Sequence, residues 1–232
     1  MRSPDDPVSE ARSFLGRIPL FANLSEASLL ALARASKFMQ VKKGQCIFLQ
    51  DDPSENVYLV RSGLISIILE SLDGRKLVIN EMRLGDFFGE VGVLTKQHRS
   101  SSAIARTDSE LLVLPCQAFL SVLEAEPALV RRMLEMTANR LRGSSERESA
   151  LAFLDSQGRL ARLLLQLELQ KPEKGYITIS QEELAQRTGQ TRQTVAKALG
   201  RWRRAGWLIT GRGRIMLLKH DALTHLEQES LI

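Results

Sequence analysis

The chain has 232 residues, 44% hydrophobic and 25% charged, with a formal net charge of +5, a composition that excludes a fibrous or disordered protein and suits one large or two modest globular domains. No apolar run approaches the ~20 residues that a membrane span needs, and the opening MRSPDDPVSEARS lacks the apolar core of a secretory signal, so a cytoplasmic protein with no membrane partner is expected. The two cysteines, Cys46 and Cys116, exclude a disulfide framework, no Cys/His spacing resembles a zinc or iron–sulfur site, and both thiols read as buried and inert.

Taken in chain order, residues 10–35 read as helical: in LSEASLLALARAS, Ser25 and Ser28 stand where a cap would form, and Leu29, Leu30 and Leu32 supply an apolar stripe. From 38 to 115 the pattern changes to short β-rich runs (CIFL, NVYLV, LISIIL, KLVINEM, LLVLP) separated by Gly, Asp, Pro and Ser clusters, which predicts a compact barrel or roll. Asp73-Gly74 is a hairpin turn. Pro115 closes the last strand, and CQAFLSVLEAEP is a short helix ending near Pro127. Ala128 to Leu154 then reads as one helix of about 27 residues, or ~40 Å. Val130, Leu134, Thr137, Leu141, Ser144, Glu148 and Leu151 repeat at heptad spacing, the register of a two-stranded coiled coil with a polar middle. Two readings stay open here: an amphipathic helix packed on its own domain, or a dimer seam whose polar centre lines a ligand site. Gly158 in LDSQG is expected to break this helix. GRLARLLLQLELQ forms the next one, and PEKG a turn.

Charge is concentrated at the far end. From Ser156 onward 13 Lys and Arg stand against 7 Asp and Glu, a balance of +6, whereas the rest has 19 against 20. Leu184 to His220 holds nine Lys/Arg and no acid, which favours a polyanionic partner. The same stretch carries the most specific motif. Ser180 with Glu183 caps a helix QEELAQRT, Gly189 makes a tight turn, and Thr191 caps a second helix, RQTVAKALGRWRRA, that stops before Gly206. Helix, short glycine turn and helix is the helix-turn-helix pattern. Leu184, Ala185, Val195, Ala198 and Leu199 are the expected buried positions. Arg192, Gln193 and Lys197, with Thr194 beside them, project from the start of the second helix, where base edges are read. Arg suits guanine, Gln suits adenine, and Lys suits guanine or phosphate. WLIT-GRGR-IMLL follows as a two-stranded wing whose Arg212 and Arg214 suit phosphate contacts. Each arginine alone reads equally well as a solvated cation; the acid-free ensemble on one motif does not.

The other informative segment is GDFFGEVGVLTKQHRSSSAIA. Gly89-Glu90-Val91-Gly92 can form a turn with N–H groups free for an anion. Glu90 can accept from a sugar hydroxyl, Arg99 can pair with a phosphate, and Ser100 can add a hydroxyl. From the residues alone, a simple Glu90–Arg99 ion pair is an equal reading.

Here the residues carry a resemblance. FGE…RSSSA, the LAFLD segment (Leu151 to Asp155) and the winged helix-turn-helix follow one another as in the cyclic AMP receptor protein (CRP/FNR) family of bacterial transcription regulators, which the chain resembles over nearly its full length. The resemblance implies an α+β fold: an N-terminal cyclic-nucleotide-binding-like β-roll (double-stranded jelly roll) over 1–127, a dimerisation helix and hinge over 128–155, and a C-terminal winged helix-turn-helix over 156–232. It gives Glu90 the ribose 2′-hydroxyl, Arg99 and Ser100 the cyclic phosphate, and Ser144 and Ser145 the base, one of them across the dimer. Implied partners are double-stranded DNA, a second copy of the chain and RNA polymerase; the implied allosteric ligand is cyclic AMP. Cyclic GMP, cyclic di-GMP, another metabolite or ligand-independent DNA binding are the alternatives. The chain departs from the family's R-E-T-V-x-R reading pattern with Gln193 for Glu and Lys197 for Arg, so the operator is expected to differ there. Ser144 stands for a more frequent Thr. The Cys cluster of oxygen-sensing relatives is absent, and the one N-terminal His, His98, sits in the cassette tip. No paired carboxylates, nucleophile–base set or metal cluster is seen, so no catalytic residue, metal or prosthetic group is assigned.

Overall fold

A computed structural model describes residues 6–71, 73–170 and 175–229. The chain divides into two compact units, one comprising residues up to Leu69 with Ile79–Leu141, the other Glu70–Val78 with residues from Arg142 onward. The division falls inside the long helix rather than at its ends. Among the described residues no helix is long and apolar enough to cross a membrane.

The first unit opens with α1 (Pro7–Arg17), which starts at a proline and is capped by Asp6, and α2 (Glu26–Ala35), capped by Ser25 Oγ accepting from Ser28 N at 3.2 Å. The single helical stretch expected over 10–35 is therefore broken. Pro19 begins a short 3-10 turn, and Asn23 takes a φ of +64°. Strands β1 (Lys37–Val41), β2 (Cys46–Phe48), β3 (Asn56–Ser62), β4 (Ile65–Glu70), β5 (Lys76–Met82) and β6 (Phe87–Phe88) precede α3 (Glu90–Thr95), β7 (Ser102–Ala105) and β8 (Ser109–Pro115). They form two four-stranded sheets, β1-β8-β3-β6 and β2-β7-β4-β5. Tyr58 and Val60 of β3, with Leu111 and Val113 of β8, meet Phe48, Ile65 and Ile67 between the sheets. The alternate residues Val57, Leu59, Leu112 and Leu114 meet the helices on the other side. Both faces of β3 and β8 are buried, which is why VYLV and LLVL read as unbroken apolar runs. Cys46 is exposed and Cys116 half-buried, so the expectation of two buried thiols fails: the pairing register shifts between Cys46 and Phe48, so the two do not share a face as alternate strand residues otherwise would, and Phe48 is buried while Cys46 is not.

α4 (Cys116–Ala125) leads through Glu126 into α5 (Pro127–Phe153). Glu126 accepts from Ser25 N at 3.0 Å, and the hydrogen bonds from Ser25 and Ser28 hold its carboxyl below the usual value. Along the 27 residues of α5 only Leu129 and Met133 are buried. Val130, Leu134, Leu141 and Leu151 of the heptad are exposed, as is Phe153.

The second unit has α6 (Ser156–Leu169), β9 (Ile177–Thr178), α7 (Gln181–Thr188), α8 (Arg192–Arg204), β10 (Leu208–Gly211), β11 (Arg214–Leu217) and α9 (His220–Glu229). The expected PEKG turn lies largely outside the described residues. Leu184, Ala185, Val195, Ala198 and Leu199 are buried as expected, around Trp202. The wing has three strands, in the order β10-β11-β9, not two; Ile177 opposite Ile215 supplies the extra pairing. Gly158 does not end the long helix. The break falls at Asp155, whose carboxylate accepts from Gln157 N at 2.9 Å and Gly158 N at 2.7 Å, so Gly158 is a buried residue of the first turn of α6. Asp155→Ala should therefore cost about 1 kcal/mol, read from the denaturation midpoint of the full chain at unchanged m-value; an unchanged midpoint would show that the cap carries no load.

Candidate functional site

The cassette is built on a glycine. Gly89 ends β6 with a φ of +81°, and a Cβ there would stand 2.7 Å from Arg99 Nη1, so a larger residue would be both strained and in collision. Gly89–Gly92 is not the free turn expected, because Gly89 is the N-cap of α3. Glu90 is 6% exposed and its carboxylate meets Arg140 Nη1 at 2.7 Å. Arg140 Nη2 donates to Phe87 O at 2.5 Å, and the guanidinium lies 5.0 Å over the Phe87 ring. The simple Glu90–Arg99 ion pair is thus replaced by Glu90–Arg140. Arg140 went unnoticed in the sequence: a single helix arginine has no period, and only the demand that a buried Glu90 be paired would have pointed to one.

Arg99 is 3% exposed. Its Nη1 donates to Gly89 O at 2.5 Å and its Nη2 to Asn56 O at 2.7 Å, while Nε has no partner. Its backbone exchanges two hydrogen bonds of 2.9 Å with Asp51 and Asp52. Burial pulls the guanidinium below its usual pKa, opposed by Tyr58, Asp52 and Glu90. Val91 and Ser100 are exposed at the rim. Ser144 and Ser145 lie on the part of α5 assigned to the second unit; Ser144 Oγ donates to Glu148 at 3.3 Å, and Ser145 is exposed.

In the second unit, Ser180 Oγ accepts from Glu183 N and Thr191 Oγ1 from Thr194 N, each at 3.1 Å. Thr191 and Thr194 also share a hydroxyl hydrogen bond of 2.9 Å. Val195, Ala198, Leu199 and Trp202 form the buried stripe of α8, which leaves Arg192, Gln193 and Lys197 exposed. Arg201, one turn past Lys197 on the same exposed side, was missed because it lies beyond the helix start where base contacts are sought. Arg192 joins Gln181 and the wing residues Arg212 and Arg214 around a cleft of about 320 Å³. Among the described residues no acid pairs with Arg192, Lys197, Arg201, Arg212 or Arg214, whereas Arg162 and Arg187 of the same unit are paired with Glu227 and Glu183. At the break between α5 and α6, Arg159 Nη1 donates to Leu154 O at 2.7 Å and Nε to Thr188 O at 3.1 Å, and Gln190 Nε2 donates to Ser156 O at 2.8 Å. The end of the long helix is therefore pinned to the turn of the helix-turn-helix.

Residues 38–126 match the model of the cyclic nucleotide-binding domain, and residues 158–226 that of the Crp-like helix-turn-helix domain. Over 200 residues the chain is 30% identical to the CRP-like cAMP-activated global transcriptional regulator of Mycobacterium tuberculosis, an alignment covering 84% of this chain and 89% of that one. The chain belongs to the CRP/FNR family of transcription regulators. Its members are ligand-binding, DNA-binding regulators that bind DNA as dimers, and the β-roll, long helix and winged helix-turn-helix are the family architecture. The cAMP-activated global transcriptional regulator CRP of Escherichia coli is 30% identical over 156 residues, 65% of this chain and 74% of that one. Among solved family structures, the c-di-GMP responsive global regulator CLP of Xanthomonas campestris superposes with a TM-score of 0.76 at 25% identity, covering 83% of this chain and 99% of that one.

Burial raises the Glu90 carboxyl above the usual carboxylate value, against the opposing pull of Arg140. The folded protein then holds this proton more tightly than the unfolded chain, so the stability it contributes is full at low pH and is lost as pH rises through the folded value. Glu90→Gln cannot ionise. The Tm difference between variant and wild type should therefore move in the variant's favour as pH rises from ~4 to ~7, and parallel Tm curves would show that Glu90 titrates in the ordinary range.

Proposed function

We propose that the chain is a homodimeric, sequence-specific DNA-binding regulator whose operator affinity is set by a cyclic nucleotide, cyclic AMP before others, in the cassette of Gly89, Glu90, Val91, Arg99 and Ser100. The observation that carries this reading is the buried Arg99 guanidinium with an unpartnered Nε. A buried donor without a partner is costly, and an anion supplies the missing acceptor through a charge-assisted bond. Glu90 supplies the acceptor for a ribose hydroxyl, and Ser144 and Ser145, by the family resemblance, contact the base. The name of the mycobacterial relative supports cyclic AMP. Cyclic di-GMP is the second reading, favoured by the name of the Xanthomonas structure.

The proposal divides the chain into a sensor over 1–127, a dimerisation helix and hinge over 128–155, and a DNA-binding domain over 156–232. The exposed heptad residues Val130, Leu134, Leu141 and Leu151 pair with those of a second copy. Two copies of α8 then enter successive major grooves, about 34 Å apart, on a pseudo-palindromic operator. Arg192, Gln193 and Lys197 read bases; Ser180, Thr191, Thr194, Arg212 and Arg214 hold phosphates. Ser180 and Thr191 accept backbone N–H bonds at their helix starts, which leaves the Ser180 hydroxyl hydrogen, and one of the two shared between Thr191 and Thr194, able to donate. RNA polymerase is the protein partner in the same scheme, in the cytoplasm. The ligand acts by binding the DNA-competent arrangement more tightly than the other.

Calorimetric titration with cyclic AMP, cyclic GMP and cyclic di-GMP tests the switch. Cyclic AMP should bind at about micromolar Kd or tighter, and Arg99→Lys, which cannot span the Gly89 and Asn56 carbonyls, should weaken it more than ~10-fold. Heat from cyclic di-GMP alone would select the second reading, and no heat from any nucleotide would remove the switch. Arg192→Ala should cost ~1–3 kcal/mol on operator and less on random DNA, whereas Arg212→Ala should weaken both alike and lower the salt slope by about one; equal losses for Arg192→Ala would make it a phosphate contact. Leu134→Glu should shift the sedimenting species from dimer to monomer and abolish operator binding, and an intact dimer would move the seam off α5.

A further inference from the structure

Hydrogen bonds are not all that holds Arg99. Its Cζ lies 4.2 Å from the centre of the Phe48 ring and 5.6 Å from that of Tyr58. Both rings belong to a trio with Phe88. Phe48 and Tyr58 are 5.6 Å apart, Tyr58 and Phe88 stack at 5.3 Å, and Phe48 lies 6.0 Å from Phe88. The three are 8%, 7% and 1% exposed respectively. They come from β2, β3 and β6, so the bed exists only once both sheets have formed.

Two carbonyls fix two edges of a guanidinium but leave its plane free to tilt about the line joining them. A ring face against that plane removes the tilt, and a cation on an aromatic face is held most strongly where water is excluded. Burial raises the Tyr58 hydroxyl above its usual pKa while the nearby Arg99 cation opposes the rise, in keeping with this close approach. Leucine in place of Phe48 would keep the site apolar and remove the face.

We infer that Phe48 is the positioning residue of the anion site: its ring sets the plane of the Arg99 guanidinium, so that the edge left over from Gly89 and Asn56 meets a cyclic phosphate in one orientation. The inference rests on the cassette reading proposed above. Of the two rings beside Arg99, that of Phe48 is the nearer, at 4.2 Å against 5.6 Å for Tyr58.

The test uses the full-length protein and two readouts. Cyclic AMP should bind Phe48→Leu and Phe48→Met about tenfold more weakly than wild type, and Phe48→Tyr should restore affinity to within about twofold. In proton NMR the side-chain resonance of Arg99, identified by its loss in Arg99→Lys, should lie upfield in wild type and Phe48→Tyr, shielded by the ring. It should return to the ordinary arginine position in Phe48→Leu. Thermal unfolding identifies any variant that fails to fold, and Phe48→Met then replaces Phe48→Leu. Equal affinities for wild type and Phe48→Leu, failure of Phe48→Tyr to restore binding, or an unmoved Arg99 resonance would each overturn the inference and leave the cassette reading standing. A wild-type protein that binds no cyclic AMP would overturn the cassette reading instead, and the resonance, which needs no ligand, would still decide whether Phe48 sets the guanidinium.

Discussion

A helix of 27 residues that buries only Leu129 and Met133 in its own chain leaves an apolar stripe in need of cover. That demand governs the rest of the molecule. The start of α5 is clamped to its own unit by Leu129, Met133 and the bond from Arg132 Nε to Leu20 O at 2.7 Å. Farther along, Leu134, Leu141 and Leu151 are exposed to solvent. Ser144 and Glu148 at the heptad positions between Leu141 and Leu151 weaken such a seam, and polar residues there trade stability for a defined register. The same helix carries Arg140, the partner of Glu90, and ends at Phe153, just before Leu154, whose carbonyl accepts from Arg159.

The cassette holds two buried charges, Glu90 and Arg99, and a half-buried one, Arg140. Arg140 neutralises Glu90, while Arg99 lies against carbonyl oxygens and ring faces with its Nε unpartnered and no carboxylate paired to its side chain among the described residues. An arginine neutralised by its own carboxylate would have to break that pair before it met a phosphate, and breaking a buried pair is expensive. The glycine at position 89 is part of the same arrangement, since its missing Cβ is the space in which the Arg99 guanidinium lies.

Much of this was legible in the sequence where local chemistry is decisive. Caps at Ser25, Ser180 and Thr191, the buried stripe of α8 and the apolar runs of β3 and β8 all follow from short-range rules. What was not legible depends on partners far along the chain. The two-residue strands β6 and β9 exist only through pairing with β3 and β11, and the start of β7 is hidden in the serine run Ser100–Ser102. Arg140 and Phe48 lie at least 41 residues from Arg99 or Glu90 in sequence, and nothing but the closed roll brings them to the cassette. Gly158 misled for the opposite reason: a residue with breaker chemistry was placed inside a helix by the carboxylate of Asp155.

The cations of α8 and the wing, unpaired among the described residues, bear on the protein's own folding. Arg192, Lys197, Arg201, Arg212 and Arg214 repel one another within one small unit, with no acid among Leu184 to His220 to relieve them. Any polyanion that binds the folded unit better than the unfolded chain draws the folding equilibrium toward the native state by mass action. A nucleic acid bound in this way would act as a folding ligand for this unit, and the same protein stripped of it would be less stable and more sensitive to ionic strength.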